Sequence, residues 1–155
     1  MINAWKCRKK QAIRLLSDFK RLFTDGRFYL AGQQMRTPHF FLEEKGTEEI
    51  FNEGCKSMGK LLLDRAYPTG TQCWEMVWEK QIDAQMLERQ TKELIISSGD
   101  AFFEKSATAM AQRMSGYEEL FESEIQRYRN SYRADMKVVC PVGMLGGLLI
   151  SIILI

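Results

Sequence analysis

The sequence predicts a mainly α-helical protein: a small helical domain of about four helices, with a short hairpin near residues 27–42 as one reading of its least regular stretch, and a C-terminal transmembrane helix. Two observations carry this. Apolar residues recur at three- and four-residue intervals over long runs of the chain, the spacing that lines one face of a helix. The last stretch, Val138 to Ile155, contains no charged residue, and eleven of its eighteen positions are Leu, Ile or Val. The chain divides accordingly into a basic amphipathic helix at 1–24, a cytosol-facing helical body at 25–137 and a membrane anchor at 138–155.

The first helix is read over Ala4 to Phe23, where Trp5, Ala12, Leu15, Leu16, Phe19, Leu22 and Phe23 keep helical spacing. Lys6, Arg8, Lys9, Lys10, Arg14, Lys20 and Arg21 lie largely between them and give residues 1–24 a net charge of +6 against Asp18. Such a helix can pack its Leu/Phe face on the body with its cations in solvent, lie on an anionic membrane surface, or contact nucleic acid.

Asp25-Gly26 supplies a turn, and residues 27–42, with Gly32, Pro38 and two aromatic clusters, fit either two short strands or a packed loop. Thr47 followed by Glu48 and Glu49 reads as a helix start, and Ile50, Phe51, Met58, Leu61 and Leu62 carry that helix to about Ala66. Gly54 and Gly59 within it predict a close crossing with another helix. After Tyr67-Pro68-Thr69-Gly70, a third helix is expected from Gln72 to Ser97, with Trp74, Val77, Trp78, Ile82, Met86 and Leu87 giving a broad apolar face and Leu94-Ile95-Ile96 a second patch. Ser97 and Asp100 have capping-box spacing and predict the start of a fourth helix. Its stripe of Phe103, Ala107, Met110, Met114, Tyr117 and Phe121 can pack inward on the tryptophan helix or pair with a second protomer. Its acidic residues precede its cations Arg127, Arg129, Arg133 and Lys137.

At about 1.5 Å per residue, Val138–Ile155 reaches about 27 Å, just short of the roughly 30 Å hydrocarbon layer, so the span fits only when nearly upright. The cations just before it predict a cytoplasmic N-terminal side, a single-pass and tail-anchored arrangement, and the bacterial inner membrane as the address. Gly143 and Gly147 have the spacing of a membrane-helix packing face and would support a homodimer.

The search for chemistry excludes more than it offers. One histidine, His39, and four scattered cysteines form no metal-ligand or redox motif, and no phosphate loop or nucleophile motif is present. No cofactor, metal or catalytic residue is therefore expected, and the chain reads as a non-enzyme. The expected function is protein–protein interaction at a membrane, as an adaptor, regulator or inhibitor of a membrane machine. Trp74, Trp78, Phe103, Met110, Met114, Tyr117 and Phe121 are the partner-binding candidates. Membrane-associated nucleic-acid binding through the basic N-terminal residues is an alternative, and a membrane-active toxin or lysis factor is another.

Overall fold

The computed structural model describes residues 2–82 and 87–144, with side chains over 7–82 and 87–134. Every regular element among them is helical: α1 (Ile2–Gly26), a π-helical turn (Arg27–Gly32), α2 (Thr37–Glu43), α3 (Glu49–Asp64), α4 (Gly70–Gln81), α5 (Arg89–Ser98), a 3₁₀ turn (Gly99–Phe103) and α6 (Ala107–Met144). The all-α expectation holds, with more and shorter helices than the sequence suggested.

The hairpin near 27–42 does not form. Helix α1 runs on into the π turn, in which the Gln33 N–H donates to the Phe28 carbonyl at 3.1 Å, and Gln34, at φ 56°, ends it. Pro38 then sits in the first turn of α2, where a missing N–H costs no helical bond. Phe40 and Phe41 are buried there.

The expected third helix is two helices. Ile82 is extended and closes α4 with its N–H on the Trp78 carbonyl at 3.1 Å. In an unbroken helix Leu87 would lie about 180° from Trp78. Breaking the helix lets Trp78, Ile82 and Leu87 all be buried.

Two predicted caps are also replaced. Thr47 does not cap α3; its hydroxyl donates to Asp18 Oδ1 at 3.1 Å. The buried Asp18 of α1 instead receives the Thr47 and Glu48 N–H groups, both at 2.9 Å. It thereby supplies from another helix the acceptor that the start of α3 needs. The Ser97/Asp100 box is absent because Ser97 Oγ donates back to the Leu94 carbonyl and Asp100 is taken by Arg113 and Tyr117. Helix α6 starts after Ser106, whose Oγ accepts the Ala109 N–H at 3.1 Å.

Helix α6 packs mainly against α1 rather than the tryptophan helix. The two run antiparallel: Thr24 meets Glu118, Lys20 meets Glu122 at 2.8 Å, and Lys9 meets Ser131 at 3.2 Å. Phe19 of α1 is the centre of the core, with ring centroids 4.7 Å from Trp78, 5.3 Å from Phe51 and 6.0 Å from Phe121. Burying a ring of this size contributes about 2–3 kcal/mol. The close approach predicted at Gly54 is real but is made by a ring: a Cβ there would lie 2.3 Å from Trp78. Gly59 faces Leu42 and the Pro38 carbonyl of α2.

No helix among the described residues is long and apolar enough to cross a membrane. The expected span at 138–155 falls largely outside them: the backbone of α6 continues to Met144, and residues 145–155, Gly147 included, lie beyond. Gly143 is within the described backbone of α6.

Candidate functional site

Antiparallel pairing brings the start of α1 and the cationic part of α6 to one end of the molecule, and it sorts their charges. Four of the seven N-terminal cations are engaged within the chain. Lys9 donates to Ser131 Oγ and lies 5.4 Å from the Tyr128 ring centroid; Lys20 pairs with Glu122; Arg14 pairs with Glu48 at 2.9 Å; and Arg21 donates to the Lys45 carbonyl. Arg8 and Lys10 are exposed and pair with no carboxylate among the described residues. The Lys6 side chain lies outside the described part.

On α6, Arg127 is held by Glu88 at 2.7 Å and Glu124 at 2.9 Å, while Tyr128 donates to Thr91 Oγ at 2.9 Å. These contacts tie α5 to α6. The Glu124 hydrogen bond raises the Arg127 guanidinium further above its already high range, and the same bond holds the Glu124 carboxyl below the usual carboxylate range. Glu122 is lowered likewise, first by its bond from Lys20. Arg129 and Arg133 remain exposed on α6, and the charge of Arg129 also helps to lower Glu122.

The predicted partner-binding residues are drawn inward. Trp74, Trp78, Met114 and Phe121 are fully buried, and Phe103, Met110 and Tyr117 pack partly buried against the same core. The Tyr117 hydroxyl contacts Asp100 and the Ser97 carbonyl, and burial pushes it above the ordinary phenol range. Large apolar side chains that stay at the surface are Phe28, Tyr29, Leu63, Met76 and Leu120. Met76 borders a cleft of about 400 Å³ between α3 and α4, floored by Leu61, Tyr67 and Val77 and edged by Lys60 and Lys80. Sequence reasoning missed this cleft, although Met76 stands about 200° from Trp74 and Trp78 on a helical wheel, which marks it as off the core stripe.

A second cavity of about 360 Å³ lies beside Arg21, Asp25, Tyr29, Glu43, Glu44 and Lys45. Burial, then a hydrogen bond and repulsion from Asp25, push the Glu44 carboxyl up to about 8. Burial also raises the thiols of Cys55 and Cys73, which makes them poor nucleophiles, whereas Cys7 is exposed. Among the described residues no group of three or more His, Cys, Asp or Glu side chains could hold a metal ion.

A family model described as Stage III sporulation protein AB matches residues 5–155 of the chain. No curated protein and no solved structure matches it.

Proposed function

This chain belongs to the stage III sporulation protein AB family, and from that premise we propose that it serves stage III of sporulation as a membrane-anchored binding protein. Its helical body faces the cytoplasm and presents a surface to a protein partner, while residues 138–155 hold it at the bilayer. The observation that carries this reading is the run of α6: its stripe of Met114, Phe121, Ile125 and Tyr128 closes the core, and the same helix continues at least to Met144, into the uncharged stretch. A helix that belongs to both parts transmits position from the bilayer to the body without a flexible linker.

The partner surface that suits this role is the cleft between α3 and α4. It combines an exposed methionine and an apolar floor with two lysines, a pattern that fits an apolar side chain flanked by carboxylates on the partner. The aromatic residues read as anchors from the sequence serve the core instead, and most of the N-terminal cations are occupied by intramolecular contacts, which weakens the case for nucleic acid.

Two measurements test the reading. In membrane fractions washed with carbonate, the full-length chain is expected to stay in the pellet and a version ending at Lys137 to be released; release of both forms overturns the anchor. A photoreactive residue at Met76 is expected to cross-link one discrete membrane partner during sporulation, and Lys60→Glu with Lys80→Glu is expected to abolish that product. A cross-link unaffected by the charge reversal overturns the cleft.

A further inference from the structure

Arg14, Asp18, Arg21 and Asp25 fall within about 60° of one another around α1 and form one polar stripe. The linker between α2 and α3 runs antiparallel along it. Glu48 pairs with Arg14 at 2.9 Å, the Thr47 and Glu48 N–H groups donate to Asp18, the Lys45 carbonyl accepts from Arg21, and Glu44 hydrogen-bonds with Asp25. Three of these fastenings join a fixed donor to an acceptor at any pH near neutrality. The fourth joins two acids, so it forms only while one of the carboxyls keeps a proton to donate.

The surroundings keep that proton in place. Around Glu44 lie Asp25, Arg21 and Asp18 of α1, Tyr29 of the π turn, Cys55 of α3, and its own neighbours Glu43 and Lys45. Burial first, then the bond and charge of Asp25, and last the charge of Asp18 favour the protonated carboxyl. Arg21 opposes them, but its guanidinium is already bound to the Lys45 carbonyl. The linker is pinned again two residues further on. Asn52 accepts the Gly46 N–H at 2.7 Å and donates to the Gly46 carbonyl at 3.2 Å, and a Cβ at Gly46 would lie 2.5 Å from Phe51. The part free to move is therefore short: Glu43 to Lys45, which border the cavity shared with Tyr29, Met35 and Phe40.

We propose that Asp25 and Glu44 form a proton-operated latch, which holds the end of α2 on α1 while they share a proton and releases Glu43–Lys45 from the cavity when that proton leaves. Repulsion between two carboxylates in a half-buried site drives the release, and the pinned Gly46 keeps it from spreading into α3. In the open state Glu44 is in water and titrates near its ordinary value of 4.5, whereas in the closed state it is held up to about 8. The closed state binds one proton more between those limits. The ratio of open to closed therefore rises about tenfold per pH unit across them and is level on either side.

The Glu44 N–H, which donates to the Phe40 carbonyl at 3.1 Å, reports the opening. Its hydrogen exchange in the full-length, detergent-solubilised chain is followed by mass spectrometry of overlapping peptides across residues 40–46, corrected for the intrinsic pH dependence of amide exchange. Between about pH 5.5 and about pH 7.5 its protection factor is expected to fall about 100-fold. Throughout, it is expected to stay at least about tenfold below the protection of the core amides of α4, since the latch opens without the rest of the chain. In Asp25→Asn the new amide donates to the Glu44 carboxylate, and in Glu44→Gln to the Asp25 carboxylate, so neither variant needs a shared proton. Both are expected to show a flat profile over the same range. A parent profile that does not change with pH, or a slope that persists in either variant, overturns the latch. Protection equal to that of the α4 core means that the segment opens only when the whole chain unfolds, and it overturns the latch as well.

Discussion

Trp74 and Trp78 offer a matched experiment on what the aromatic core needs. Both indoles are fully buried, one helical turn apart, and replacing either by phenylalanine removes the same ring atoms at a cost of about 1–3 kcal/mol. Their polar handles differ. The Trp74 Nε1–H donates to the Ile95 carbonyl at 2.8 Å, an oxygen that Ser98 Oγ also contacts at 2.7 Å, so losing the indole donor leaves that carbonyl partly satisfied and costs about 1 kcal/mol. Trp78 Nε1 is buried with no hydrogen-bond partner among the described residues, and deleting it relieves a desolvation penalty of about 1–3 kcal/mol. Trp74→Phe is therefore expected to be more destabilising than Trp78→Phe by about 2 kcal/mol or more. In a chain of this size that free-energy gap also corresponds to thermal midpoints about 4–8 °C apart. Urea unfolding of the detergent-solubilised chain, followed by far-UV circular dichroism to avoid the altered fluorophores, measures the difference directly. Equal losses at the two positions, or a larger loss at Trp78, would refute the reasoning.

Other consequences can be checked on the same preparation. Gly54→Ala improves helix propensity by about 1 kcal/mol, yet its Cβ would meet the immobile Trp78 ring at 2.3 Å; a net loss of about 1–2 kcal/mol in urea titration is expected. Arg65 ends α3 in the left-handed region at φ 51°, so Arg65→Gly should raise stability by about 1 kcal/mol, read as a higher urea midpoint at unchanged slope. Glu44 keeps its proton up to about pH 8 in the folded chain, whereas its unfolded counterpart loses it near 4.5. The folded state thus binds more protons between those values, and stability is expected to fall as pH rises through that window, being complete below it and level above. Urea midpoints across pH 5 to 8.5 should show this decline in the parent and a flatter profile in Glu44→Gln; the lowered carboxyls of Glu122 and Glu124 act with the opposite sign and below pH 4.5.

Much of the helical content was written in local spacing. Leu15, Leu16, Phe19, Leu22 and Phe23 mark the inner face of α1 at intervals no strand would use, and all five are buried. Local spacing could not show that Leu87 competes with Trp78 for the same core, which is what splits the expected third helix. The cap at α3 was misplaced for a related reason. Thr47 has the right chemistry in the right place, but Asp18, 29 residues earlier, is a stronger acceptor, and only the fold brings it there. Among the N-terminal cations, sequence gave their number and sign; the separation into engaged residues such as Lys9 and exposed ones such as Arg8 depends on helix α6, more than a hundred residues away.

That distance bears on how the chain is made. The helix synthesised early presents Phe19 and Phe23 as its inner face, and their covering residues Tyr117 and Phe121 lie about a hundred residues downstream. At about 5–20 residues per second, the ribosome leaves that aromatic face without its final cover for about 5–20 s. Closure over so long a loop comes late and slowly, after the local helices have formed. The covering residues are followed almost at once by the apolar stretch that the anchor reading assigns to the bilayer. On that reading, completion of the core and capture by the membrane become nearly simultaneous events in biogenesis, and a chaperone that shields one exposed surface would, in the same seconds, have to manage the other.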